Sequence, residues 1–359
     1  MPRFIVSGCI SALLLGMDVA SAASSPIVPP ASLASMYALT ASTALPAPTS
    51  ALSASDAASY LVSSWGLSNG KIQNGASNLA FVDDPFPNNS SSSLSDSADG
   101  NTTSPVLQVT YPAGSYSHDT GGAQFYALWN TSSNSSGSGE NWNSMLVTYE
   151  VAFDADFDWV KGGKLPGLRG GPDVYGCSGG EAANGSNCFT SRTMWRTDGD
   201  GEVYAYALES KKFCDSSNVM CNDDGYGTSI DRGAFSFQSG AWNRVTMLVS
   251  LNNPVNKANG QVALYYNNVP AITLSSLQFR STSDVNIGGL FFSTFFGGSN
   301  SSWATPNTTH TYFRGFQMWA SSAASNGTAS SALKCQPRRW GPDSFSLSVG
   351  LLVFVYAML

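Results

Sequence analysis

The residues best suited to chemistry are one arginine and two tyrosines. Cys188-Phe-Thr-Ser-Arg-Thr-Met-Trp-Arg196 reads as a strand, Thr-Asp-Gly-Asp-Gly201 as a turn, and Glu202-Val-Tyr-Ala-Tyr-Ala-Leu208 as a second strand, so the three predict an antiparallel hairpin. Successive strand residues point to opposite faces. Thr190, Arg192, Met194 and Arg196 therefore share one face, and Tyr204 and Tyr206 share one face of the partner strand. With the turn centred near Gly199 the two even-numbered rows lie side by side, because cross-strand neighbours point the same way. An arginine beside two phenols can hold an anion and move a proton. The same residues also suit an exposed sheet merely stabilised by cross-strand Tyr/Arg pairs.

Positive charge gathers around this hairpin. Lys161-Gly-Gly-Lys-Leu-Pro-Gly-Leu-Arg169 adds Lys161, Lys164 and Arg169, and residues 161–212 hold seven of the chain's 17 lysines and arginines. The formal net charge is −7, so the cations are concentrated within an acidic protein, which suits an anionic substrate. The acidity excludes a generic nucleic-acid binder. The glycine-rich loop lacks GxxxxGK[ST], and no GxSxG occurs, which argues against a phosphate cradle and a serine hydrolase. Asp154, Asp156 and Asp158 offer carboxylates for a glycoside hydrolase, or simply the wet side of a strand. His118, near Gly121-Gly122, is placed to assist proton transfer or to serve only structure. No metal site is expected, since two histidines and no CxxC spacing are present. No cofactor is required in principle.

These side chains need a β framework. Gly numbers 35, aromatics are 12% and charged residues 11% of 359 residues, a composition favouring a turn-rich β protein. Residues 144–159 alternate throughout, with Met145, Val147, Tyr149, Val151, Phe153, Ala155, Phe157 and Trp159 on one face. Residues 244–251 and 261–266 repeat the pattern around an Asn259-Gly260 turn signal. Residues 287–296 form a glycine-punctuated apolar run, and 311–319 a closing strand. No sustained helical period or internal repeat appears. The expected class is all-β: an antiparallel β-sandwich, most simply a jelly roll, over residues 65–320.

The ends read as addresses. Residues 1–22 have the Arg3 n-region, a short apolar stretch and Ala20-Ser21-Ala22 of a signal peptide. Residues 23–64, rich in Ser, Thr, Ala and Pro, read as a flexible, O-glycosylated spacer. Residues 321–359 read as a polar linker and an apolar tail too short to span a membrane. The tail fits a GPI-anchor signal, giving attachment through a C-terminal lipid, or a frayed C-terminus. Four cysteines survive both cuts, spaced as two disulfides, Cys177 with Cys188 and Cys214 with Cys221, in an oxidising compartment. Nine N-x-Ser/Thr triplets agree with a secreted glycoprotein. A monomer is expected.

At several of these segments the chain resembles polysaccharide lyase family 14, as a secreted fungal-type member. The likeness is carried by Lys161-Gly-Gly-Lys-Leu-Pro-Gly, Arg-x-Met-Trp-Arg with its Tyr-x-Tyr partner, Ser293-Thr-Phe-Phe before Gly297-Gly298, Trp303-Ala-Thr-Pro and Tyr312-Phe-Arg. The resemblance implies a jelly roll that cleaves a uronic-acid polysaccharide, of alginate or glucuronan type, by β-elimination. It implies that Lys164 is the cleft lysine, Arg192 the substrate-binding arginine, and Tyr204 and Tyr206 the catalytic pair. A serine commonly stands two residues before that arginine; here the position is Thr190, with Ser191 beside it. One tyrosine, held near deprotonation by cations, is expected to take the C5 proton. Arg196, Trp195, Lys161 and His118 complete the expected substrate contacts. The alternatives are a non-catalytic carbohydrate-binding sandwich, with Trp195 and Trp303 stacked on sugars, and a hydrolase.

Overall fold

The structure is a computed structural model that describes residues 26–87, 104–129 and 141–324. The strands in chain order are β1 (Ala41–Ala44), β2 (Leu79–Val82), β3 (Val106–Tyr111), β4 (Ala123–Leu128), β5 (Ser144–Phe153), β6 (Gly163–Gly170), β7 (Phe189–Trp195) and β8 (Asp200–Tyr206). They continue as β9 (Val219–Met220), β10 (Thr228–Ser236), β11 (Trp242–Ser250), β12 (Gly260–Tyr266), β13 (Val269–Leu277), β14 (Ile287–Phe296) and β15 (Thr309–Ser321). One sheet runs β13-β12-β11-β5-β15-β3-β2, with β1 also on β15; the other runs β4-β14-β6-β7-β8-β10-β9. All named pairs are antiparallel. The two sheets pack as the jelly-roll sandwich read from the alternation.

Strand parity decides what fills the core. Met145, Val147, Tyr149, Val151 and Phe153 of β5 are all buried between the sheets, as are Phe189 and Trp195 of β7 and Val203 and Ala205 of β8. Trp195 lies edge-on to Tyr111, Phe153, Phe157 and Phe296, so the interior is knit by aromatic contacts near the site. This odd-numbered burial forces the even-numbered residues of β7 and β8 onto the outer face.

Three expectations change. The alternation of 144–159 ends as a strand at Phe153; residues 154–159 turn away, although Phe157 still packs in the core. The Asn259-Gly260 signal does not make a tight hairpin, because β11 and β12 pair through a nine-residue connection, 251–259, bridged by Asn259 to Asn253. The tight turn lies next door at Asn267-Asn268, whose φ values of 50° and 66° fit a type I′ hairpin between β12 and β13. The described part of the expected spacer, residues 26–64, is folded. It forms α1 (Pro30–Met36) and α2 (Ala54–Ser64) as well as β1. Leu33 and Ala34 of α1 cover Leu146, Leu248 and Tyr265 on the outside of the first sheet, and Ala57 and Leu61 of α2 join the core. Composition hid these helices because their apolar positions are few and separated by serine and alanine. The signal peptide and the apolar tail fall outside the described residues.

Candidate active site

The hairpin register places the key groups together. Arg192 stands opposite Tyr204, Thr190 opposite Tyr206 and Met194 opposite Glu202. On the other side, β6 sets Lys164 opposite Met194 and Gly167 opposite Arg192. Gly167 suits this close approach, because a Cβ there would lie 2.1 Å from the Ser191 carbonyl oxygen. Beyond β6, β14 brings Ser293 and Phe291, and β4 brings Gln124 and Tyr126.

Arg192 is the centre of the arrangement. Its guanidinium is 1% exposed, 4.7 Å from the Phe291 ring centroid and 5.9 Å from each of the Tyr204 and Tyr206 centroids. Nη1 donates to Ser293 Oγ at 3.2 Å, while Nε and Nη2 are buried without a hydrogen-bond partner. Buried donors are normally satisfied, so two empty ones on a cation mark a place for an anion. Lys164 Nζ lies 4.2 Å from the Tyr204 centroid and donates to Met194 Sδ at 3.3 Å. Burial, then Arg192 and Arg196, hold its pKa well below the ordinary lysine range. Burial and the adjacent Tyr206 phenol push Tyr204 up, and Arg192 does not overcome them. Burial thus favours the protonated phenol at Tyr204. Tyr206 accepts from the Gly180 N–H at 3.3 Å, edge-on to Tyr204.

The remaining expected contacts divide. Ser191 and Trp195 point between the sheets: Ser191 Oγ faces Met247 Sδ and Trp195 is 0% exposed, so neither reaches the groove. Odd parity explains both. Thr190 is on the groove side but buried, its hydroxyl donating to the Cys177 carbonyl at 2.8 Å. Arg196 is tied to buried Glu202. Lys161 reaches Ser302 Oγ at 2.8 Å, 6.0 Å from the Trp303 ring. His118, in the short helical turn α3 (Ser117–Thr120), is partly exposed and 6.0 Å from Phe295, whose other neighbour is Lys164.

Both disulfides form with the expected pairing, Cys177–Cys188 and Cys214–Cys221. The first packs against Met194, Tyr204 and Tyr206, so its loop backs the site. Tyr126, Gln124 and Ser293 escaped the sequence-based site. Tyr126 stacks on Phe291 at 4.5 Å, while Ser293 Oγ lies 3.5 Å from Gln124 Oε1. Parity within residues 123–128 puts Gln124 and Tyr126 on one face, but only the pairing of β4 with β14 shows which face. Asp154 is fully engaged on the other sheet, accepting from the His310 backbone N–H and the Tyr312 and Thr309 hydroxyls, with His310 Nδ1 at 2.9 Å.

The fold is a jelly roll whose outer β7–β8 face gathers a buried arginine, a lysine and two tyrosines. The family model for polysaccharide lyase 14 matches residues 99–316, and the chain belongs to that family. A solved marine PL-14 alginate lyase from Aplysia kurodai is 31% identical, with a TM-score of 0.59 over 78% of this chain and 100% of that one. Alginate lyase Aly36B shares the fold at 20% identity, TM-score 0.53, over 80% of this chain and 99% of its own. Exolysin of Paramecium bursaria Chlorella virus 1 is 27% identical over 215 residues, 55% of this chain; the match spans only 30% of that relative.

Proposed function

We propose that the protein is a secreted polysaccharide lyase that cleaves a uronic-acid polymer by β-elimination in this groove. The observation that carries the reading is Arg192, a desolvated cation with two unpartnered guanidinium nitrogens, Nε and Nη2, beside two phenols. A uronate carboxylate satisfies those donors, and docking parts the side chains that close over the guanidinium. Neutralising the carboxylate makes the adjacent C5–H more acidic and stabilises the enolate-like charge that develops, the differential electrostatics on which catalysis depends. Aly36B has been solved with alginate trisaccharide bound, and the Aplysia enzyme is named an alginate lyase, which supports an acidic polysaccharide as ligand.

The electrostatics revise the roles expected of the side chains. Lys164, its pKa depressed, supplies a neutral amine that takes the C5 proton; the electron pair forms the C4–C5 double bond and the C4–O bond breaks. Tyr204, protonated, gives its proton to the departing glycosidic oxygen. The ammonium and phenolate then restore each other through solvent. Tyr206, held by Gly180, shapes the pocket.

The test is a panel of glucuronan, mannuronate- and guluronate-rich alginate and pectin, read by the ultraviolet absorbance of unsaturated sugar and by reducing ends. Elimination gives both signals. Reducing ends alone mean hydrolysis, and saturable binding with no product means a lectin. Lys164→Arg replaces the neutral amine with a permanent cation of similar length and so removes the base; a fall of about 10²–10⁴-fold in kcat is expected. An active Lys164→Arg enzyme returns the base role to a tyrosine.

A further inference from the structure

Glu202 takes no part in the steps above, yet it shares a sheet face with Lys164, two strands away across β7: Lys164 faces Met194, and Met194 faces Glu202. Its side chain is 0% exposed. It accepts from Arg196 Nη2 at 2.5 Å, Arg232 Nε at 2.8 Å and Ser229 Oγ at 2.5 Å. Two guanidiniums on one carboxylate leave the cluster with net positive charge. A buried carboxylate held this way is weak evidence for stability, because desolvation offsets most of the attraction. Function is the better reason to look for it here.

The charged and titratable groups facing Lys164 come from each neighbouring element. Arg192 lies on β7, with Arg196 just past its end; Tyr204 and Glu202 are on β8; His118 of α3 lies beyond Phe295 of β14. Lys161, in the preceding turn, is bound to Ser302. Lys164 itself makes no ion pair with a carboxylate among the described residues.

We propose that Glu202, clamped between Arg196 and Arg232, is a positioning residue that sets the field at Lys164 and so the pH at which that lysine can accept the substrate proton. The proposal rests on Lys164 being the base. Removing the carboxylate leaves two bare guanidiniums and favours the neutral amine; removing an arginine favours the ammonium. A unit charge about 10 Å away, at an effective dielectric constant near 20–40, moves such an equilibrium by about one pH unit.

The experiment compares Glu202→Gln, Arg196→Gln and Arg232→Gln with the natural sequence. It follows the acid limb of kcat/KM and, without substrate, the NMR titration of the Lys164 side chain. The expected result is a downward shift of about one unit in Glu202→Gln and an upward shift in Arg196→Gln, with a smaller one in the more exposed Arg232→Gln. A purely structural carboxylate lowers the melting temperature but gives no opposed shifts. If Glu202→Gln does not fold, the upward shift in Arg196→Gln decides alone. Neither the limb nor the titration moving overturns this proposal. A moving titration with a fixed limb supports the field and overturns Lys164 as the base.

Discussion

The two outer faces of the sandwich carry similar residues and treat them differently. On the β5–β15 face, Arg314 binds Glu150 through Nε at 2.7 Å and Asp84 through Nη1, and lies 4.0 Å from the Trp242 ring centroid. Arg244 shares Glu150, and Asp154 gathers His310, Tyr312 and Thr309. On the β7–β8 face, Arg192 and Lys164 have no carboxylate bonded to them among the described residues, and the acid nearby, Glu202, is occupied by other arginines. Cations paired with anions brace a sheet; Arg192, a cation without one, awaits it. Net charge could not have separated the faces. The pairing did.

The sharpest way to break this contrast is to remove the waiting cation. Arg192→Met should lower kcat/KM by about 10³-fold, and it should raise the melting temperature, because a desolvated cation with unfilled donors is replaced by an apolar chain of similar length. Lys164→Met should behave likewise. Its depressed pKa means the folded state binds fewer protons than the unfolded chain below 10.5, so the native lysine withholds stability at neutral pH and restores it as pH rises. A drop in melting temperature for both variants would show that these two side chains brace the fold after all.

The Cys177–Cys188 bridge is the next largest effect. It closes a loop of sequence separation 11 whose Gly180 N–H donates to the Tyr206 hydroxyl. Replacing both cysteines with serine should cost about 2–3 kcal/mol of stability in thermal melts. It should also lower kcat more than a stability loss explains, roughly tenfold at a temperature where the variant is folded. Unchanged kcat in the folded variant would make the loop a passive wall.

Much of this was legible in the sequence for a plain reason. The register of β7 with β8 follows from a short turn, so parity alone put Arg192 beside Tyr204 and Tyr206. The same parity places Ser191 and Trp195 inside, against their expected substrate contacts, because neighbours of Arg192 and Arg196 in sequence point to the opposite face of the strand. Gln124, Tyr126 and Ser293 were out of reach: β4 pairs with β14 across more than 150 residues, and no local signal sets that register. Likewise α1 and α2 exist because they cover apolar surface on distant strands, not through their own periodicity. The protonation of Tyr204 depends on burial, which a residue list does not carry.

The smallest predicted effect probes the satisfied face. Burial raises the pKa of Asp154, but the hydrogen bonds from His310 and Tyr312 outweigh it and leave the group below 3.8. A carboxylate depressed in the folded state contributes stability above its unfolded pKa and loses it as pH falls through the folded one. Asp154→Asn should therefore lower the melting temperature slightly at neutral pH, by an amount equivalent to about 1 kcal/mol or less given its partial exposure. The deficit should begin to shrink as pH falls to about 3.8 and vanish only below the still lower folded pKa, where the natural carboxylate is neutral in both states, and lyase activity should stay within about twofold throughout, since surface changes away from a site rarely exceed 0.5 kcal/mol. Loss of activity with an unchanged melting curve would reverse the contrast, because it would put the aspartate row, and a hydrolytic mechanism, on the face that looks fully satisfied.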